Sequence, residues 1–149
     1  METGDFSGAA DEAGRLKTQN LIEGMGKIGY DVVNLGERDL SGGVAEFRSL
    51  TEKSGLVFIS ASFIYRDNGE QFLPPYTMKQ YKLTSGKSVR VGFLGVNSLN
   101  SAFVRETPEK RILMIRDPID AVKLHLPALK GKADLVVLLA NLSLRDLTG

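Results

Sequence analysis

The sequence has no cysteine and no tryptophan, a single histidine, and no apolar run approaching the ~20 residues that a membrane span requires. Without cysteine there is no disulfide, no thiolate metal site and no cysteine nucleophile, and the redox compartment leaves no mark on the chain. An excess of charge of one sign is missing as well. Nineteen Lys and Arg against 18 Asp and Glu leave a formal charge of +1, and the basic residues are scattered rather than gathered into a stripe. Neither nucleic acid nor a membrane surface is therefore expected as a partner. Internal repeats, low-complexity tracts and linkers are lacking too. The opening Met1-Glu2-Thr3-Gly4-Asp5 has neither a basic start nor an apolar stretch, so these residues carry no export signal. A signal ahead of Met1 would leave no trace in them.

Two catalytic devices are excluded on the same ground. The only histidine, His125, stands in no motif with Ser7, Ser41 or Ser143, so a nucleophile–base triad has no support. Gly36, Gly42 and Gly43 lack the following Lys and Ser or Thr of a phosphate-cradling loop, and are read as turn geometry.

What remains is 149 residues, 42% hydrophobic and 25% charged, the composition of one soluble globular domain over 1–149. From Asp11 to Ile28, the residues Leu16, Leu21, Ile22, Met25 and Ile28 follow helical spacing, and Gly29 stands where the helix should end. Asp31 to Leu35 reads as a strand, 36–43 as a loop, and Ala45, Phe47 and Leu50 as a short second helix. Leu56 to Ile59 has the unbroken apolar character of a strand buried on both faces. After the polar stretch ending at Pro74-Pro75, Tyr76 to Leu83 and Ser88 to Val96 flank Thr84-Ser85-Gly86-Lys87, which predicts a hairpin.

Ile112 to Ile115 suits another strand. Asp117-Pro118 then offers an N-cap with proline at the first helical position, and Ile119, Val122, Leu126 and Leu129 form the buried stripe, with Pro127 expected to bend or split the helix. His125 falls at the edge of that stripe, in a partly buried or solvent-facing role rather than as a ligand. The last strand is Leu135 to Leu139. Helices alternating with apolar strands, plus a hairpin, imply a layered α/β fold with a mixed sheet and flanking helices. Chemistry is expected in the loops 4–8, 36–43 and 140–149 at the strand ends. Tyr65, Phe72 and Tyr76, close to the proline pair, are read as a hydrophobic cover over the core.

Four segments in series carry a resemblance: Gly4-Asp5-Phe6-Ser7-Gly8, then Gly29-Tyr30-Asp31-Val32-Val33-Asn34-Leu35-Gly36, then Pro74-Pro75-Tyr76, then Lys130 to Ala140. In this order and spacing they resemble metallophosphatases of the 5'-nucleotidase type, the calcineurin-like phosphoesterases. The match runs over nearly the whole chain but only about half of a full domain. It implies a layered metallophosphatase-like mixed sheet with flanking helices, incomplete relative to the full domain. The family's chemistry uses two divalent ions that share a bridging aspartate and orient a phosphate ester for attack by a metal-bound hydroxide.

The resemblance also assigns positions. Asp5 matches the bridging aspartate. Gly36-Glu37-Arg38-Asp39 stands where the family has Gly-Asn-His-Glu or Gly-Asn-His-Asp, so Glu37 replaces a metal-binding asparagine and Arg38 the histidine that assists phosphate transfer. Asn141 replaces a metal-binding histidine. An early Asp-x-His would lie before Met1, and a final Gly-His-x-His beyond Gly149. Asp5, Glu37 and Asp39 are together expected to suit at most one hard cation. Arg38 would be repelled by two dications, and its expected role is a local salt bridge with Glu37 and Asp39, ahead of a grip on phosphate.

Three functions follow as expectations. The first is a metallophosphoesterase-like domain that has lost dinuclear-metal phosphatase activity and serves a binding or structural role. The second is an active metal-dependent nucleotidase-type hydrolase completed by flanking sequence or a partner chain, and the third a small-anion binder using Arg38. No cofactor is expected in the isolated chain; otherwise it is a divalent ion, Mg, Mn, Ca or Zn. An exposed sheet edge implies a homo-oligomer or pairing with the remaining part of a larger protein. Members of the family are often periplasmic or extracellular.

Overall fold

The computed structural model describes residues 1–99 and 112–143. Helix α1 spans Glu12–Lys27. The Asp11 carboxylate accepts from the Gly14 amide at 2.7 Å, which satisfies one of the orphan donors of the first turn, and Gly29 at φ +82 releases the chain. Its buried face matches the expected one only at Ile22 and Met25. Leu16, Leu21 and Ile28 are exposed, and the residues turned inward are Gly14, Thr18, Ile22 and Met25. The helix lies so close to the preceding loop that a Cβ at Gly14 would collide with the Ala9 carbonyl oxygen, so small residues take the positions where leucines would not fit.

Strand β1 (Val32–Asn34) pairs in parallel with β2 (Val57–Ile59). Between them come a 3-10 turn at Arg38–Leu40 and helix α2 (Val44–Thr51). Strand β3 (Phe63–Tyr65) was not expected from the sequence and pairs antiparallel with β6 (Leu113–Ile115). The predicted hairpin is present as β4 (Tyr76–Lys82) and β5 (Ser88–Asn97). Helix α3 (Pro118–Leu129) starts from Asp117, whose carboxylate accepts from the Ile119 and Asp120 amides. It runs unbroken past Pro127, which falls in the last turn and costs a single backbone bond there instead of splitting the helix. Strand β7 (Leu135–Asn141) lies parallel to β5. The sheet β4-β5-β7 is thus mixed.

Period-two burial stacks these pieces into layers. Val33 and Phe58 face the helices, packing with Ile22, Met25, Phe47, Phe63 and Phe72. Val32 and Ile59 point the other way, onto Val91, Phe93 and Leu139 of the second sheet. Leu94 and Val96 then face Ala121 and Leu129 of α3. The order is helices α1 and α2, the β1-β2 sheet, the β4-β5-β7 sheet, and α3. Tyr65, Phe72 and Tyr76 belong to the packing: Tyr65 meets Phe72 edge-on at 5.8 Å, and Arg48 stacks over Phe72 at 5.3 Å.

One polar side chain ties the two sheets together. Asn34, fully buried, donates to the Thr3 carbonyl at 3.0 Å and the Val96 carbonyl at 3.1 Å. Among the described residues no helix is long and apolar enough to cross a membrane.

Candidate functional site

Three strands end at one place. Asn97 closes β5, Ile115 closes β6 and Asn141 closes β7, and these residues line a cleft with Asp5, Glu37 and Ser98. Its free volume, about 10 Å³, is that of one water-sized or ion-sized occupant. The structure therefore brings together Asp5, Glu37 and Asn141, which lie far apart in sequence. It places Asn141 inside β7, two residues past the expected strand end, and the outer part of the expected 140–149 loop, residues 144–149, lies outside the described residues.

Asp5 sits in the left-handed region at φ 63, a conformation that asparagine and aspartate tolerate better than other side chains but that still costs free energy. Two carboxylates hold it there. The Asp5 amide donates to Asp39 Oδ2 at 2.9 Å, and in return the Arg38 amide donates to Asp5 Oδ1 at 2.8 Å. Asp39 also accepts from the Gly36 amide through Oδ2 at 2.8 Å and from the Ser7 amide through Oδ1 at 2.9 Å. Loops 4–8 and 36–40 are thereby latched to each other.

The latch needs glycine on both sides. A Cβ at Gly4 would approach the Gly36 amide nitrogen and Cα to 2.6 and 2.8 Å, and one at Gly36 would strike the Asp5 nitrogen and Oδ1. Gly4 and Gly36 of the sequence motifs are thus explained by backbone crossing backbone.

Asp39 is buried. Burial pushes its carboxyl up to about 6, against the downward pull of the Gly36, Ser7 and Asp5 amides. Near pH 7 it is still largely ionised, and the three converging N–H donors offset part of the cost of burying that charge. This corrects two expectations. Both Asp39 oxygens are spent on backbone amides, so Asp39 anchors the loop and is not aimed at a cation. Arg38 does not pair with its neighbours: its side chain is exposed, and the bond at this position comes from its backbone amide.

Asn97 and Ser98 were not singled out from the sequence. Asn97 is engaged at both ends of its amide: its Nδ2 donates to the Leu35 carbonyl at 2.6 Å, and its Oδ1 accepts from Ser60 Oγ at 3.1 Å. It shapes the cleft. The Asn141 amide nitrogen lies beside Gly4, and the Asn141 carbonyl accepts from the Ser98 amide at 2.8 Å.

His125 takes no place in the cleft. It packs near Tyr76, with Nε2 at 2.9 Å from the Gln71 amide and 3.4 Å from Arg116 Nη1. Burial, and then the Arg116 charge, lower its pKa.

The donors on these loops are the Asp5 and Glu37 carboxylates and the Asn141 amide. Hard oxygen donors of this kind fit one magnesium or calcium ion. They do not fit a pair of transition-metal ions, whose sites draw on imidazole nitrogen and several carboxylates. Among the described residues no three of His, Cys, Asp and Glu come together.

No family model matches the sequence, and no curated protein matches it. Solved structures do match in fold. The calcineurin-like phosphoesterase YfkN of Bacillus subtilis superimposes with a TM-score of 0.75 at 20% identity over 93% of this chain and 46% of its own. The sulfate thiohydrolase SoxB of Thermus thermophilus gives 0.73 at 13% identity, over 93% of this chain and 24% of its own. A 5'-nucleotidase precursor of Thermus thermophilus gives 0.70 at 20% identity, over 94% and 27% respectively. The chain thus spans less than half the length of each of these proteins.

Proposed function

We propose, taking as premise the fold shared with calcineurin-like phosphoesterases and 5'-nucleotidases, that this chain is a metallophosphatase-like domain without dinuclear-metal phosphatase chemistry, acting as a binding or structural module. One observation carries the proposal. The aspartate at the bridging position turns Oδ1 to the Arg38 amide and shares its cleft with one other carboxylate and two amide side chains. A dinuclear site needs several further ligands around its bridging aspartate, and the described residues of this cleft offer one more carboxylate, two amide side chains and no imidazole. Arg38, permanently charged and exposed, stands where the family has an imidazole, so this position offers repulsion to a cation instead of a ligand. The ion this cleft accepts is a single hard cation, magnesium or calcium.

The test is elemental analysis of protein purified without chelator, run beside hydrolysis of phosphomonoesters and phosphodiesters with manganese or zinc added. The proposal expects no transition metal at stoichiometric level and no turnover that differs between the parent and Asp5→Ala. Two bound transition metals per chain, with turnover abolished by Asp5→Ala, would overturn it.

A second reading is an active phosphoesterase completed by flanking sequence or a partner chain. The left-handed backbone at Asp5 favours it, because strain of this kind is commonly kept where a side chain must be aimed. The same experiment on a longer polypeptide that includes this chain decides between the two.

A further inference from the structure

We infer that Arg116 and His125 form a binding site for a small tetrahedral dianion of the phosphate or sulfate class, organised by Gln71. Three parts of the chain meet there. Gln71 comes from the segment between β3 and β4, where it bridges to Ile64. Arg116 follows β6 directly, and His125 stands in the second half of α3. None of the three lines the cleft that holds Asp5. The neutral member orders the other two. The Gln71 amide nitrogen donates to the Ser60 carbonyl at 3.2 Å, and its oxygen accepts from Arg116 Nη1 at 2.7 Å and from His125 Nε2 at 2.9 Å, the orientation in which both ends of the amide are satisfied. Nε2 is therefore the protonated nitrogen of the imidazole, and it lies 3.4 Å from Arg116 Nη1.

What this cluster lacks is negative charge. Arg116 is permanently charged and partly buried, yet among the described residues no carboxylate pairs with it. Charge drawn out of water is ordinarily paired. Gln71 engages one end of the guanidinium, and the remaining N–H donors of that planar fork match the spacing of oxyanion oxygens. Both Arg116 and His125 keep part of their surface open to solvent, so a small ion can reach them.

His125 supplies the second charge when the ligand arrives. The groups that face it are Gln71, Arg116 and the Tyr76 ring of β4, whose centroid is 6.4 Å away. On α3 itself, the residues one turn away are Ala121, Val122, Ala128 and Leu129, all uncharged. No carboxylate is among these neighbours, and burial and the guanidinium together hold the imidazole neutral. An anion on the Arg116 fork reverses the balance. It offsets the guanidinium charge and favours the imidazolium, so that two positive charges then face one ligand. That response suits a dianion better than a monoanion, and on this ground the ligand is assigned to phosphate or sulfate instead of a carboxylate.

Because the chain has a single histidine, its Cε1 proton gives one NMR signal whose movement with pH reports this imidazole alone. In chloride the parent should titrate below the usual histidine value of about 6.5. Sulfate, whose charge does not change over this range, should raise the midpoint by about one pH unit when added to about 50 mM at matched ionic strength. Inorganic phosphate should act in the same direction, and acetate, a monoanion, should do clearly less. Arg116→Gln removes the guanidinium and leaves the backbone bond from residue 116 to the Ser62 carbonyl in place. Its midpoint in chloride should lie above the parent's, and sulfate should no longer move it. A parent midpoint equal in sulfate and chloride, a rise as large in acetate as in sulfate, or a sulfate response that survives Arg116→Gln would each overturn the inference. The comparison of anions on the parent needs no substitution, so it decides the matter whatever the stability of the variant.

Discussion

Gly36→Ala is the sharpest perturbation of the loop latch. The added methyl falls on the Asp5 nitrogen and Oδ1, with Cγ at 2.8 Å. The nitrogen is backbone, so no change of rotamer relieves the clash, and loop 4–8 must move by about 1 Å or more to restore ordinary contact near 3.4 Å. That movement breaks the bond from the Asp5 amide to Asp39 and the bond from the Arg38 amide to Asp5. Hydrogen bonds to a charged group are worth about 1.5–3 kcal/mol each. Alanine returns about 0.5–1 kcal/mol by restricting the unfolded chain, and partial relaxation recovers more.

The net loss should be about 2–4 kcal/mol, or roughly 5–15 °C in melting temperature for a chain of this size. Far-UV circular dichroism during heating and urea titration measures it. Gly24→Ala is the matched control. Gly24 lies inside α1 with open space where a methyl would go, so this change should stabilise by up to ~1 kcal/mol. If Gly36→Ala melts within a degree or two of the parent, the loops are not locked as described.

Asp39 gives a pH dependence of defined sign. Its folded-state value of about 6 lies above the ordinary 3.8, so its contribution to stability is fully present below pH ~4 and is lost as pH rises through 6, by up to ~3 kcal/mol. Urea midpoints at a series of pH values should therefore show the parent gaining on Asp39→Asn between pH 7 and pH 4, and a constant difference would refute the burial effect. Asn34→Ala strands the buried Val96 carbonyl and removes the bond to the Thr3 carbonyl, and should cost about 1–3 kcal/mol by denaturant titration. Arg38→Ala, in contrast, removes an exposed side chain and leaves its amide bond in place. Its melting temperature should match the parent within the ~0.5 kcal/mol typical of surface changes.

The layered architecture was legible wherever one periodicity ran long enough to be recognised. Strand β5 and its hairpin partner declare themselves by length, by apolar and β-branched residues and by a turn with glycine, and α3 by the Asp117-Pro118 start. Strand β3 did not, because three residues, Phe63 to Tyr65, are too short to show alternation. Leu16 and Leu21 misled for a different reason: hydrophobicity marks what can be buried, whereas the approach of loop 8–9 to α1 decides what fits, and that approach is visible only in three dimensions.

At the site, the motifs located Asp5, Glu37 and Asn141, which the fold does bring together. Their chemistry was harder to read. Asp39 looked like one charge in an acidic and basic run, and nothing in a linear sequence says that three amides from two loops will converge on it. Asn97 escaped notice because its work, bridging Leu35 and Ser60, is done across 62 and 37 positions of chain.

The way the first residues are fastened has a kinetic meaning. Glu2 bonds to Val32 and Asn34, Asp5 to Arg38 and Asp39, Ser7 to Asp39, and Gly8 to Ser41. Apart from the Gly8 amide, which donates to Thr18 of α1, the partners stand about thirty positions downstream, so the segment gains most of its support only when β1 and the turn after it exist. It should therefore fold after them, and in the native protein its amides should exchange with solvent as one group, detaching together while the sandwich beneath stays closed.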